Sequence, residues 1–81
     1  MQLEILTPVK SVFSGEVKLV KVPGSKGSFE IMNNHAAIIS TLAGGEVKVE
    51  TESGETICYR ITGGVVEVKN NFIVVLAEAI Q

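Results

Sequence analysis

From Glu46 to Ile61, apolar and polar residues alternate with a period of two, in two runs separated by the polar stretch Glu52-Ser53-Gly54-Glu55. That period puts successive side chains on opposite faces of an extended strand, whereas a helix would scatter the same residues around its surface. Glu46, Lys48 and Glu50 therefore belong in water, with Val47 and Val49 on a core face. Ile57, Tyr59 and Ile61 form the matching face of the next strand. Glu52 to Glu55 reads as the hairpin loop joining the two, and Gly63-Gly64 breaks the second run.

The same signals recur along the rest of the chain. Val65 to Lys69 reads as a short strand, and Asn70-Asn71 as a tight turn, because asparagine tolerates the positive φ that two-residue hairpins demand. Phe72 to Ala77 is apolar at every position, which predicts a central strand covered on both faces. Leu3 to Leu6 and Val17 to Val22 are further strands, and the second changes phase at Leu19-Val20, which predicts a bulge there. Only Leu76 to Gln81 leans towards helix, for about one turn, too short to stand alone. Turn signals every eight to twelve residues or so make the chain all-β, a sandwich or small barrel, and 81 residues with no linker, repeat or low-complexity tract predict one domain over residues 1–81.

Composition bounds the function. The chain is 46% hydrophobic and carries eight further glycines, which takes it above the usual apolar share of soluble domains. A domain of this size buries only about 60 to 65% of its unfolded surface. Some apolar surface should therefore stay exposed as a docking face. A net charge of -2 supplies no basic field, so nucleic acid is not an expected partner. No apolar run approaches the roughly 18 to 20 residues needed to cross a bilayer, and Met1 to Glu4 lacks a basic, then apolar, leader, so a cytoplasmic location is expected. The single cysteine, Cys58, fits a reducing compartment.

Residues capable of chemistry do not gather in this sequence. His35 has no second histidine for a metal site, which needs three or four convergent ligands, and it is expected to hydrogen-bond its own loop or a partner. Cys58 has only Arg60 nearby on its face to lower its pKa, and a small enzyme built on His35 and Cys58 would lack a third group to orient the base. Gly24 to Gly27 lacks both the Gly-Lys-Ser/Thr ending and the following helix of a phosphate loop. Glu16, Glu46, Glu50, Glu52, Glu55 and Glu67 read as a solvated sheet surface. No catalytic, cofactor-binding or metal-binding residue is therefore assigned. What remains is Val22 to Ala36, two polar corners holding Lys26 and His35, which reads as a surface shaped to be gripped by a partner.

At this point the chain resembles the N-terminal β-sandwich domain of the epsilon subunit of F-type ATP synthase. The resemblance runs nearly end to end. It is carried by Leu3 to Pro8 (LEILTP), Val12 to Gly15 (VFSG), Val22 to Gly27 (VPGSKG), the His35-Ala36 loop, Gly63 to Val68 (GGVVEV) and Val74 to Ala77 (VVLA). The resemblance implies a flattened sandwich of about ten short strands at the foot of the central stalk. It implies a non-catalytic rotor part that binds the gamma subunit and the membrane c-ring, peripheral to the cytoplasmic face of the bacterial inner membrane, with no cofactor. By position it implies that Ser25, Lys26, Gly27, Ser28, Phe29 and Glu30 meet the c-ring, and that Met32, Asn34, His35 and Ile38 meet gamma.

Two departures from the family pattern stand out. Many members continue into a helical hairpin after the last strand, and this sequence stops at Gln81, so the expected resemblance is to short epsilon forms. Asn33-Asn34 occupies positions where many members have proline or glycine. The alternative is a lipoyl- or biotinyl-type carrier domain or another β-sandwich adaptor. A carrier needs a hairpin-tip lysine flanked by methionine or aspartate, and Lys26 has Ser25 and Gly27 beside it.

Overall fold

A computed structural model describes residues 1–81 and contains eight strands and no helix: β1 (Gln2–Leu6), β2 (Ser11–Val22), β3 (Phe29–Met32), β4 (Ile38–Leu42), β5 (Gly45–Thr51), β6 (Thr56–Ile61), β7 (Gly64–Lys69) and β8 (Phe72–Ala77). They hydrogen-bond in the order β4-β7-β8-β1-β2-β5-β6, with β3 also on β2. All pairings are antiparallel except β1 with β8.

The sheet folds over itself because β2 belongs to both leaves. Its first half pairs with β1, and its second half pairs with β3 on one side and β5 on the other. Between the halves the β2–β5 register shifts from Val17 to Leu19, which is the bulge that the phase change predicts. Val17 and Val20 are three residues apart and both fully buried, which only an extra residue between them allows. Isolated bridges from Gly24 to Leu42 and from Ile61 to Ile80 close the two open corners, so the eight strands and two bridges make a curled sandwich measuring 26 × 23 × 19 Å.

The interior is wholly apolar: 16 hydrophobic side chains and no polar one are buried in it. They arrive from alternate positions, Leu3 and Ile5 beside Ile73 and Val75 in one leaf, Val47 and Val49 beside Val20 and Val22 in the other. Phe13 and Tyr59 meet edge to face across the leaves, their rings 6.4 Å apart at 63°. Asn70 and Asn71 turn from β7 to β8 with φ of 52° and 62°, the two positive values of a type I′ hairpin.

Two expectations need correction. β8 does lie centrally, between β7 and β1, but only one of its faces is covered. Ile73, Val75 and Ala77 point inward, while Phe72 is 40% and Leu76 51% exposed. The apolar run therefore serves two purposes, a core face and an open surface. The C-terminal segment forms no helical turn: Leu76 and Ala77 finish β8, and Ile80 bridges Ile61 because its side chain packs onto the core more favourably there.

Candidate functional site

The two polar corners of Val22 to Ala36 lie at opposite ends of one edge strand. β4 pairs with β7 on one side only and runs from the His35 turn to the Gly24 corner, a separation of roughly 15 Å for five residues.

The first corner is built by glycine. The Gly27 N–H donates to Gly24 O at 2.9 Å, closing a turn, and Gly27 has a φ of 131° that L side chains rarely adopt. At Gly24 a Cβ would lie 2.6 Å from Gly27 O and 2.9 Å from the Phe29 ring, so the residue is glycine because the turn and Phe29 fill the space. Ser25 N–H donates to Thr41 O at 3.0 Å and Ala43 N–H to Pro23 O at 2.8 Å, which pins the corner to the end of β4. Ser25, Lys26, Gly27 and Ser28 are exposed; Phe29 packs partly on the core, and Glu30 points to solvent from β3.

The second corner is built by asparagine. Asn34 has a φ of 61°, a left-handed conformation that asparagine adopts more readily than most residues. Its N–H donates to Asn71 Oδ1 at 2.8 Å, and the Asn33 side chain accepts from the Met1 amino group at 3.1 Å, so this turn is knitted to the β7–β8 hairpin and the start of β1. His35 N–H donates to Met32 O at 3.2 Å. His35 Nδ1 lies 2.8 Å from Ala36 O, which can only accept, so Nδ1–H is the donor of this bond. Met32 is 55% exposed at the end of β3.

Between the corners the sequence Ile38-Ile39 splits across the strand. Ile38 packs against the core from its inward face, and its edge reaches a groove of about 430 Å³ that it shares with Ala37, Val68 and Lys69. Ile39 points outward and is 74% exposed. It borders both that groove and a second of about 500 Å³ beside Lys26 and Phe29. Sequence reasoning missed Ile39, and β4 with it; an isoleucine pair in an alternating strand is the signal that one of the two must face out. The same reasoning missed Phe72, Val74 and Leu76, which stand with Leu6 of β1 on the outer face of the leaf.

Charge at this edge is sparse. The molecule's one ion pair, from the Met1 amino group to Glu16 at 3.8 Å, lies elsewhere, leaving Lys26, Glu30, Lys69 and Glu67, which stands opposite Ile39 and lines the first groove, unpaired. No three His, Cys, Asp or Glu side chains converge as metal ligands do. Cys58 projects from the outer face of β6 and is exposed. The arrangement suits contact with other polypeptides: apolar side chains, free backbone and unpaired charges, on a rigid frame.

Comparison with known proteins gives a consistent picture. The family described as "ATP synthase, Delta/Epsilon chain, beta-sandwich domain" matches residues 1–81. The chain is 39% identical to the ATP synthase epsilon chain of Pelotomaculum thermopropionicum, over 99% of this chain and 59% of that one. It is 38% identical to the epsilon chain of Chlorobium limicola, over 99% of this chain and 91% of that one. It thus spans somewhat over half of the first relative and nearly all of the second. Among solved structures it superposes on a chain of the mitochondrial ATP synthase of Euglena gracilis (OSCP/F1/c-ring) with a TM-score of 0.91 at 21% identity, covering 98% of this chain and 51% of that one. It also superposes on a chain of the Tetrahymena thermophila mitochondrial enzyme (central stalk/c-ring) with a TM-score of 0.82 at 22% identity, covering all of this chain and 65% of that one. At those identities the two structures speak for the fold. A carrier domain finds no support in these matches.

Proposed function

We infer that this chain, which belongs to the family of β-sandwich domains of ATP synthase delta and epsilon chains, works as an epsilon subunit in the central stalk of an F-type ATP synthase. The observation that carries the reading is the match to epsilon chains over 99% of the sequence at 38 to 39% identity. Its role is to couple: it joins the gamma subunit to the c-ring and turns with both, and it catalyses nothing itself. It sits peripherally, on the cytoplasmic face of a bacterial inner membrane, held there through the complex. No helix in it is long and apolar enough to cross a membrane.

The division of the edge supports assigning different partners to its ends. The corner of Ser25, Lys26, Gly27, Ser28, Phe29 and Glu30 meets the polar loops of the c-ring, where a small, hydrogen-bonding turn lets backbones approach closely. Met32, Asn34, His35 and Ile38 meet gamma at the other end. A wholly apolar interior, close-packed as protein cores are, transmits strain between the two contacts, which a coupling that carries torque requires.

Affinity purification of the tagged chain from membranes tests the reading. Recovery of gamma together with the catalytic subunits is expected. Recovery of neither, or full coupling of ATP synthesis in cells lacking the chain, overturns it.

A further inference from the structure

One side of β4 is bare, and the backbone there points outward. At its far end Thr41 O accepts from Ser25 and Ala43 N–H donates to Pro23, both on the side away from β7. Backbone groups of successive residues in an antiparallel strand point to opposite sides, so Ala37 and Ile39 turn theirs the same way as Thr41. No turn, loop or side chain of the molecule bonds to them. Ile38-Ile39-Ser40-Thr41-Leu42 also carries none of the charges, prolines or bulges that keep free edges from pairing. Such an edge presents donors and acceptors at a spacing that only another extended backbone matches.

We propose that β4 takes up an extended segment of the gamma subunit as an added strand, hydrogen-bonded to Ala37 and Ile39, an inference that rests on the gamma contact assigned above. A side chain of that segment meets the groove beside Ile39 on the His35 side, which Glu67 and Lys69 also line. The groove beside Ile38 and Val68 takes an apolar side chain. The groove at the other end, lined by Lys26 and Phe29, belongs to the corner assigned to the c-ring and stays clear of the segment. A second copy of this chain fits poorly. The free length runs only from Ala37 to Ser40, closed by the His35 turn and the Gly24–Leu42 bridge, and a second β4 would bring its own two projections against these. A straight segment brings none.

The test uses the chain in complex with gamma. Hydrogen exchange at the Ala37 and Ile39 amides should slow at least about tenfold on gamma binding. Ile39→Pro removes only the outward N–H, which edge strands tolerate, and should weaken gamma binding about tenfold or more with the circular dichroism spectrum unchanged. Should Ile39→Pro fail to fold, exchange on the unaltered chain decides alone. Gamma bound with both amides exchanging as before overturns the added strand and leaves the stalk reading intact; no gamma binding by the unaltered chain overturns both.

Discussion

Two terminal strands of the sheet, β4 and β6, are closed alike by the backbone and differ in what their side chains present. Each is closed at one end by two backbone hydrogen bonds: on β4 Ser25 N–H donates to Thr41 O and Ala43 N–H to Pro23 O beside the Gly24–Leu42 bridge, and on β6 Gln81 N–H donates to Arg60 O at 2.8 Å and Thr62 N–H to Ala79 O at 3.2 Å beside the Ile61–Ile80 bridge. The difference lies in the side chains: β6 carries Arg60 on its outer face, a charge of the kind that discourages pairing. β4 has one closing bridge, no charge, and an isoleucine that is 74% exposed. An edge that carries no charge, exposes an isoleucine and lies between two shaped corners is the side better suited to being held.

The comparison can be broken at several strengths. Ile61 is 1% exposed and anchors the β6 edge, so Ile61→Ala should cost about 2 to 5 kcal/mol in urea unfolding; a loss under about 1 kcal/mol would show that the bridge to Ile80 is ornamental. Gly24→Ala forces a Cβ to within 2.6 Å of Gly27 O and should cost about 1 to 3 kcal/mol, read from the same melts. Ile80→Ala, at a half-buried position, should cost about 1 kcal/mol and speed exchange of the Thr62 amide, whose acceptor is Ala79 O.

Ile39→Lys sharpens the contrast, because the side chain has little to lose in the free molecule. Stability should stay within about 0.5 kcal/mol of the unaltered chain while recovery of gamma from membranes falls sharply. Equal recovery would place the contact elsewhere. The smallest effect concerns Tyr59, whose phenol is held above its ordinary pKa by burial beside Phe13. The folded form keeps its proton where the unfolded form has lost it, so stability is fully present below the unfolded value, near 10, and declines as pH rises beyond it. Tyr59→Phe should remove that alkaline decline in thermal melts.

Much of the architecture was readable before any coordinates. β5 to β8, their hairpin loops and the β2 bulge follow from period-two patterning and turn residues, signals that act over a few neighbours. The first half of β2 was not readable as strand, because Ser11, Ser14 and Gly15 have weak strand preferences, and pairing with β1 imposes the extended form. β3 and β4 hid among polar corners. At the candidate site the two corners were legible from glycine and asparagine, and Ile39 was not, since exposure depends on which strand lies alongside.

By itself the sequence determined which segments are extended, where they turn and which side chains face a core, because alternation and positive φ are properties of adjacent residues. Tertiary structure alone decided that β1 lies parallel to β8, that one face of β8 stays open, and that β4 and β6 end as edges with Ile39 outward on the first. Those outcomes depend on contacts between residues as far apart as Gly24 and Leu42 or Ile61 and Ile80, whose pairing is settled by how the whole apolar interior closes.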